Sequence, residues 1–392
     1  MPGFSLRTKL FSMMAVILFA VSSCHHESSE YDDVPNYGQR NVTITSATFD
    51  TLRLDASHTS LSGQWHMKDS LLCFVDEYVV GVKEYDLAGD YVGEHIRQGN
   101  GPNEILAPSF SSTFDNLTGD LVMEDTNCFL HRFSSDYSKT YSLEKAWFTA
   151  LDSGFDSKEW ENLKEHPSPE IPEMYEYNFE CDRIQSVDSK VVIPVITEHV
   201  RYNGYEKKYN KGFWSDSYIF ISFSLDDLAG SRRLFGHYPP LYAERNIPIF
   251  AKYDSYAGSD GVTVGFAADY RIFMMDWSGR VTGCFGFPEE GISGRYPQTS
   301  TFDEYESSFN GQRKKFGFYD RLAKCGDYVF RTCHLDNNAG SRLQIYNSVF
   351  DLVGVLEVSP VFEIIGESQG CYYAYQGLDL DSEEFLIVRF RI

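Results

Sequence analysis

The chain has 392 residues, 34 of them basic and 57 acidic, for a formal charge of −23. A field of that sign repels phosphate backbones and anionic headgroups, which argues against nucleic acid as a partner and against docking to a membrane by charge. Aromatic residues make up 16%, with 26 Tyr and 30 Phe against 5 Trp, a composition that favours strands over helices.

The N-terminus reads as a processing signal. Arg7 and Lys9 precede an uncharged apolar run over 10–21, and Val21-Ser-Ser-Cys24 follows. The run is short for a membrane span and has the layout of a secretory signal over 1–23. Small residues directly before a cysteine resemble the bacterial lipobox, which implies cleavage before Cys24 and lipid on its thiol. The plainer alternative is an ordinary signal peptide with Cys24 incidental. The cut removes Arg7, Lys9 and no acidic residue, so the charge falls by two to −25.

Residues 24–40 begin polar and acidic and read as a disordered tether. Acidic residues just after the cysteine resemble the surface-export signal of Bacteroidetes lipoproteins. That resemblance implies an outer-membrane lipoprotein of the cell envelope, facing the periplasm or the surface.

From residue 41 to 392 the sequence is a series of strand–turn–strand units. Asp86-Leu-Ala-Gly89, Asp227-Leu-Ala-Gly230, Asp276-Trp-Ser-Gly279 and Asp351-Leu-Val-Gly354 each lie between strand-like runs. Asp bonds its own turn backbone and Gly tolerates positive φ, which is hairpin chemistry. Units fall at about 64–98, 108–143, 181–236, 249–286, 318–360 and 361–392. The last is one strand short, and the alternating run over 42–54 can supply its outer strand. The predicted fold is all-β, a six-bladed β-propeller whose ring is closed by the N-terminal strand joining the C-terminal blade.

Tyr85-Asp-Leu-Ala-Gly-Asp-Tyr-Val-Gly-Glu-His-Ile-Arg-Gln-Gly-Asn-Gly-Pro-Asn-Glu104 resembles the strand–turn–strand and G-x-G-P-x-E segment of TolB-like six-bladed propeller lipoproteins of Bacteroidetes. The ending Cys371-Tyr-Tyr-Ala to Phe385-Leu-Ile-Val-Arg-Phe-Arg-Ile392 is similar to that family's closing blade. Asn103 stands where a Gly is common. The resemblance implies the fold and an envelope location but no established activity.

The longest insertions, 144–180, 199–217 and 288–317, fall where a propeller places its loops on one face. Loops elaborating one face of a rigid scaffold usually carry recognition; free drift of loop length is the bland alternative. A short helix is expected in the first, capped by Asp156 or Ser157, with Trp160 and Leu163 facing the body. The second is aromatic and locally basic, including Arg201, Tyr205 and Trp214, suited to an acidic partner or to stacking on sugars. Its alternative is a solvated hairpin with aromatics packed beneath. In Gly99-Asn-Gly-Pro-Asn-Glu104 the glycines permit a tight crossing between blades. Glu104 can accept backbone N–H groups or pair with Arg97. His237, Tyr242, Glu289, Arg295 and Tyr296 complete the candidate binding face.

No H-E-x-x-H, G-x-S-x-G or P-loop occurs, and no pattern requires a metal or cofactor. Asp379-Leu-Asp-Ser-Glu383 lacks the glycine and terminal Glu of a calcium loop. The eight cysteines form no C-x-x-C; apart from Cys24 they read as small buried hydrophobes. The sequence thus describes a lipid-anchored, extracytoplasmic binding module without a legible catalytic site, serving an unknown protein or glycan. The alternative is a propeller hydrolase or lyase acting on carbohydrate or a small metabolite, since paired carboxylates cannot be located from sequence.

Overall fold

Short runs of β-branched and aromatic residues, cut by turn residues every few positions, form hairpins stacked side by side. The computed structural model describes residues 29–127, 129–144, 157–181, 183–197, 199–227 and 231–392. The signal segment, Cys24, Cys128, the Asp156 cap and most of the turn at 227–230 lie outside the described residues. Contacts divide the chain into residues 1–33 and 34–392. In the first unit a small turn is closed by Asp32 N–H donating to the Ser29 carbonyl at 2.8 Å.

The second unit is the six-bladed propeller, each blade a sheet of four or five strands. Blade four is the plainest. Tyr253–Gly258, Gly261–Phe266, Ile272–Asp276 and Val281–Phe285 run antiparallel from the channel to the rim. Gly261 sits at φ +148°, where a Cβ would lie 1.9 Å from the Met275 carbonyl oxygen, so only glycine fits. The outer hairpin closes as predicted: Asp276 Oδ1 accepts from Ser278 N at 2.8 Å, and Gly279 takes φ +86°.

The Asp351–Gly354 turn is displaced. The hairpin is made instead by Asn347, whose Oδ1 accepts from Val349 N at 3.1 Å and Asp351 N at 2.9 Å. Asp351 Oδ1 accepts from Gln39 N at 2.7 Å. Gly354 lies in the strand Leu352–Val358, where a Cβ would meet Ile44 at 3.1 Å. These two residues serve the N-terminal segment, which adds Arg40–Ile44 as a parallel fifth strand on blade five.

The ring closes through Asp50–Asp55, which pairs antiparallel with Glu384–Phe390 as the outer strand of blade six. Pro35–Gln39, assigned to the tether by composition, is paired as well. The Pro35 carbonyl accepts from Cys284 N, and Tyr37 N donates to the Cys284 carbonyl, both at 2.8 Å. Backbone pairing along a rim strand needs no apolar side chains, which is why composition missed it.

Some backbone bonds cross between blades, as where Tyr319 N donates to the Ala267 carbonyl at 3.0 Å, and side chains add to the stitching. Gln64 Oε1 accepts from Ser112 N at 2.8 Å; Ser186 Oγ donates to Asp115 at 2.7 Å. Gln185 Nε2 donates to the Ser255 carbonyl at 2.9 Å; Asp254 Oδ2 accepts from Leu322 N at 2.9 Å. Thr332 Oγ1 reaches the Phe362 carbonyl at 3.1 Å, and Tyr85 OH the Asp55 carbonyl at 2.7 Å. Apolar side chains fill the wedges between, as where Leu54, Trp65, Phe74 and Phe385 bury together between blades six and one.

Candidate functional site

All six innermost strands line the axial channel, which holds a cavity of about 340 Å³. Each innermost strand runs from the inter-blade loops toward the inner hairpins. Arg183, Asp254 and Glu363 lie at or near its start, Arg321 midway, and Asn116 and Lys324 toward its far end. The cavity therefore has a charged floor on the loop side and extends toward the hairpin side.

The floor is an ion-pair group. Glu363 pairs with Arg183 and lies 3.7 Å from Arg321. A second group lies outside the cavity lining: Lys252 Nζ is 2.8 Å from Asp320, which also meets His334 Nε2 at 3.3 Å. Burial pushes the Asp254 carboxyl up, against the pull of Arg321. Burial, with the Arg183 charge, holds His66 well below the usual histidine range, so its ring is neutral where it meets Ser112 Oγ at 2.9 Å. Arg183, Arg321 and Lys324 thus face Asp254 and Glu363, a cationic surplus inside a strongly acidic protein. Among the described residues no group of three or more His, Cys, Asp or Glu is placed to hold a metal ion.

Burial opposes ionisation of Asp320, but Lys252, His334 and Arg321 outweigh it and hold this carboxyl well below its ordinary value of 3.8. A depressed folded pKa stabilises the fold above the ordinary value and gives that up as pH falls through the folded value. Asp320→Asn should therefore lower the melting temperature by a constant amount from pH 7 down to about 4, and converge with the parent below that. Calorimetry across that range checks it; a gap that persists undiminished to about pH 2 would contradict it.

The three long insertions meet on the loop face. Asn246 ties the second to the third: its Oδ1 accepts from Trp214 Nε1 at 2.9 Å and Asn210 Nδ2 at 2.8 Å, and its Nδ2 donates to the Thr299 carbonyl. The first insertion joins through Glu180, which accepts from Tyr305 OH and from Arg313, each at 3.0 Å. The helix Ser157–Glu165 forms with Leu163 buried. A second helix, Phe302–Lys315, was not expected; Thr301 caps it by accepting from Glu304 N at 3.2 Å. Its Thr-x-x-Glu start was the available signal.

The nominated face residues divide by burial. Trp214, Tyr242, Tyr296 and Glu289 are buried. Tyr242 donates to the Phe250 carbonyl at 2.7 Å and Tyr296 to the Gly317 carbonyl at 3.0 Å. Glu289 pairs with Arg342. The three aromatics pack the cap from within, because aromatic area is worth more buried than exposed, and Glu289 is held inside by its ion pair. Arg97, Arg201 and Arg295 are exposed; Arg97 pairs with Glu94 at 2.8 Å and Arg201 with Glu165. Half-buried Glu104 accepts from Gly101 N at 2.6 Å, the backbone option of the two foreseen. Tyr205 packs tilted against Tyr305 with ring centres 4.5 Å apart, and His237 Nδ1 meets the Ser217 carbonyl at 3.1 Å. The channel residues were not nominated, since each comes singly from a different unit.

No family model matches the chain, and no curated protein matches it. Among solved structures it is similar to a DUF4221 family member from Bacteroides vulgatus, at 12% identity and a TM-score of 0.64, over 90% of this chain and 99% of that one. It is also similar to an exported protein from Bacteroides fragilis, at 11% identity and a TM-score of 0.50, over 91% and 98%. At such identities the likeness is one of fold.

Proposed function

We propose that the chain is an exported, lipid-anchored propeller that binds a small anionic ligand of the sugar-acid class in its axial cavity. The observation that carries the ligand reading is the cationic surplus of Arg183, Arg321 and Lys324 in a cavity of about 340 Å³ built by all six blades. That volume falls in the range of small-ligand sites, and a low-dielectric wall strengthens charge selection. Anchoring through Cys24 rests on the lipobox-like Val21-Ser-Ser-Cys24. Export from the cytoplasm is supported by the same segment and by the exported B. fragilis protein of like fold. The TolB-like reading rests on residues 85–104. Among the described residues no helix is long and apolar enough to cross a membrane. The loop face, sealed by Asn246 and Glu180, is the surface for a protein partner.

Titration calorimetry with glucuronate and with glucose tests the cavity. Glucuronate should bind at least about tenfold more tightly, the equivalent of one charge-assisted contact, and Arg321→Gln should remove that preference. Equal affinity for the two sugars, or no binding of either, would refute the assignment.

A further inference from the structure

Blade two carries a second constellation, away from the channel. Asp125 ends the strand Leu121–Asp125, His131 is the middle residue of Phe129–Phe133, and Ser142 lies opposite His131 in Lys139–Glu144. Asp125 Oδ1 accepts from Asn127 N and Phe129 N, both at 2.9 Å. Its Oδ2 faces His131 Nε2 at 2.8 Å, where the ring must donate. That tautomer leaves Nδ1 as acceptor, and the Ser142 hydroxyl donates to it at 2.8 Å. Asp125 and His131 are buried, while Ser142 is exposed.

These groups line a pocket of about 190 Å³ whose opposite wall is Gly99, Asn100, Gly101 and Glu104, with Leu106 and Phe129 as apolar sides. A β-bulge between Arg132 and Phe133 shifts the register, so that Phe133 opposes Lys139 and His131 opposes Ser142. Without the extra residue Lys139 and Ser142 would point to opposite faces; with it they share one. Lys139 Nζ then donates to the Glu104 carbonyl at 2.9 Å and sets a positive charge at the pocket wall.

We propose that Asp125, His131 and Ser142 form an acyl-transfer site that hydrolyses short-chain acyl esters. This goes beyond the binding reading and does not depend on it. A nucleophile within hydrogen-bond reach of a base, itself oriented by a third group, is the arrangement such chemistry needs. Ser142 Oγ bonds to the ester carbonyl carbon as its proton passes to His131 Nδ1. The ester C–O bond breaks, and the departing alcohol takes that proton. Water then attacks the acyl-serine, giving one proton to Nδ1, and Oγ leaves with it as the carboxylic acid is released. Lys139 stabilises the oxyanion at the pocket wall. Asp125 is a positioning residue that fixes the tautomer.

The test uses the full chain, a fluorophosphonate probe with peptide mass spectrometry, and p-nitrophenyl acetate hydrolysis. The expected adduct is on Ser142 and absent from Ser142→Ala, an exposed change that leaves the fold intact by circular dichroism. His131→Gln should slow hydrolysis at least about 100-fold. Asp125→Asn should lose activity near neutral pH and regain part of it as hydroxide takes over the base role, a shift in pH profile that loss of packing alone would not produce. No adduct on Ser142, or wild-type hydrolysis by Ser142→Ala, would overturn the proposal and confine the three residues to bracing the hairpin.

Discussion

A chain beginning at Ala56 should give no cooperative unfolding transition in calorimetry, whereas the full chain gives one. The segment removed includes Asp50–Asp55, the outer strand of blade six. Leu52 and Leu54 bury between blades six and one, against Trp65, Phe74 and Phe385. Truncating either leucine to alanine costs roughly 2–5 kcal/mol, and the two together approach the roughly 5–15 kcal/mol that hold a typical domain folded. Deletion also bares the edge of Glu384–Phe390 and separates the ends of the ring, leaving a strand edge that invites aggregation. A chain beginning at Thr45 separates the two effects. It lacks the parallel strand on blade five but keeps the closure, so it should retain one transition at a lower midpoint. Arg53→Ala should leave the midpoint nearly unchanged, since its pairs with Asp379 and Glu384 lie at the surface. A chain from Ala56 that melts cooperatively within a few degrees of the full chain would show that closure is not what holds the ring.

The order of blades is legible in the sequence because each is a local object, a run of hairpins whose turn residues sit between its own strands. Asp276–Gly279 illustrates this: the turn chemistry and its strands are adjacent in the chain. Asp351–Gly354 shows the limit, since Asp and Gly also serve a strand that arrives from the other end of the molecule. The N-terminal pairing at Pro35–Gln39 was invisible for the related reason that the segment offers chiefly its own backbone groups, to the Cys284 backbone and to the Asp351 carboxylate. The channel floor is assembled from Arg183, Asp254, Arg321 and Glu363, which stand in different repeats and share no spacing. The blade-two constellation escapes motif reading too, because hairpin register and a bulge bring Asp125, His131 and Ser142 together. For the loop aromatics the sequence left two readings open, exposed for recognition or packed beneath the loop; Trp214 is buried, and the meeting of the insertions decides for the second.

Replacing Arg331 with methionine should destabilise the protein by about 3–5 kcal/mol, because it strips donors from a buried group of acceptors. Arg331 comes from the strand Tyr328–His334 of blade five and is 1% exposed. Its guanidinium reaches into blade four, donating to the carbonyls of Tyr270 at 2.7 Å, Asp269 at 2.7 Å and Phe266 at 2.9 Å. The ring of Tyr319 lies beneath it at 4.1 Å. A planar fork can serve three carbonyls at once; a lysine ammonium on a thinner stem cannot, so Arg331→Lys should recover only part of the loss. Urea unfolding should show a lower midpoint with an unchanged slope, and a loss under about 1 kcal/mol would contradict the staple. The effect should also travel. Tyr319 OH accepts from Glu289 N at 3.0 Å, and Glu289 anchors Arg342 and Gln344. With the guanidinium gone, amide exchange at Glu289 should accelerate before that of the blade-four strands, marking the root of the 286–317 loop as the first element released.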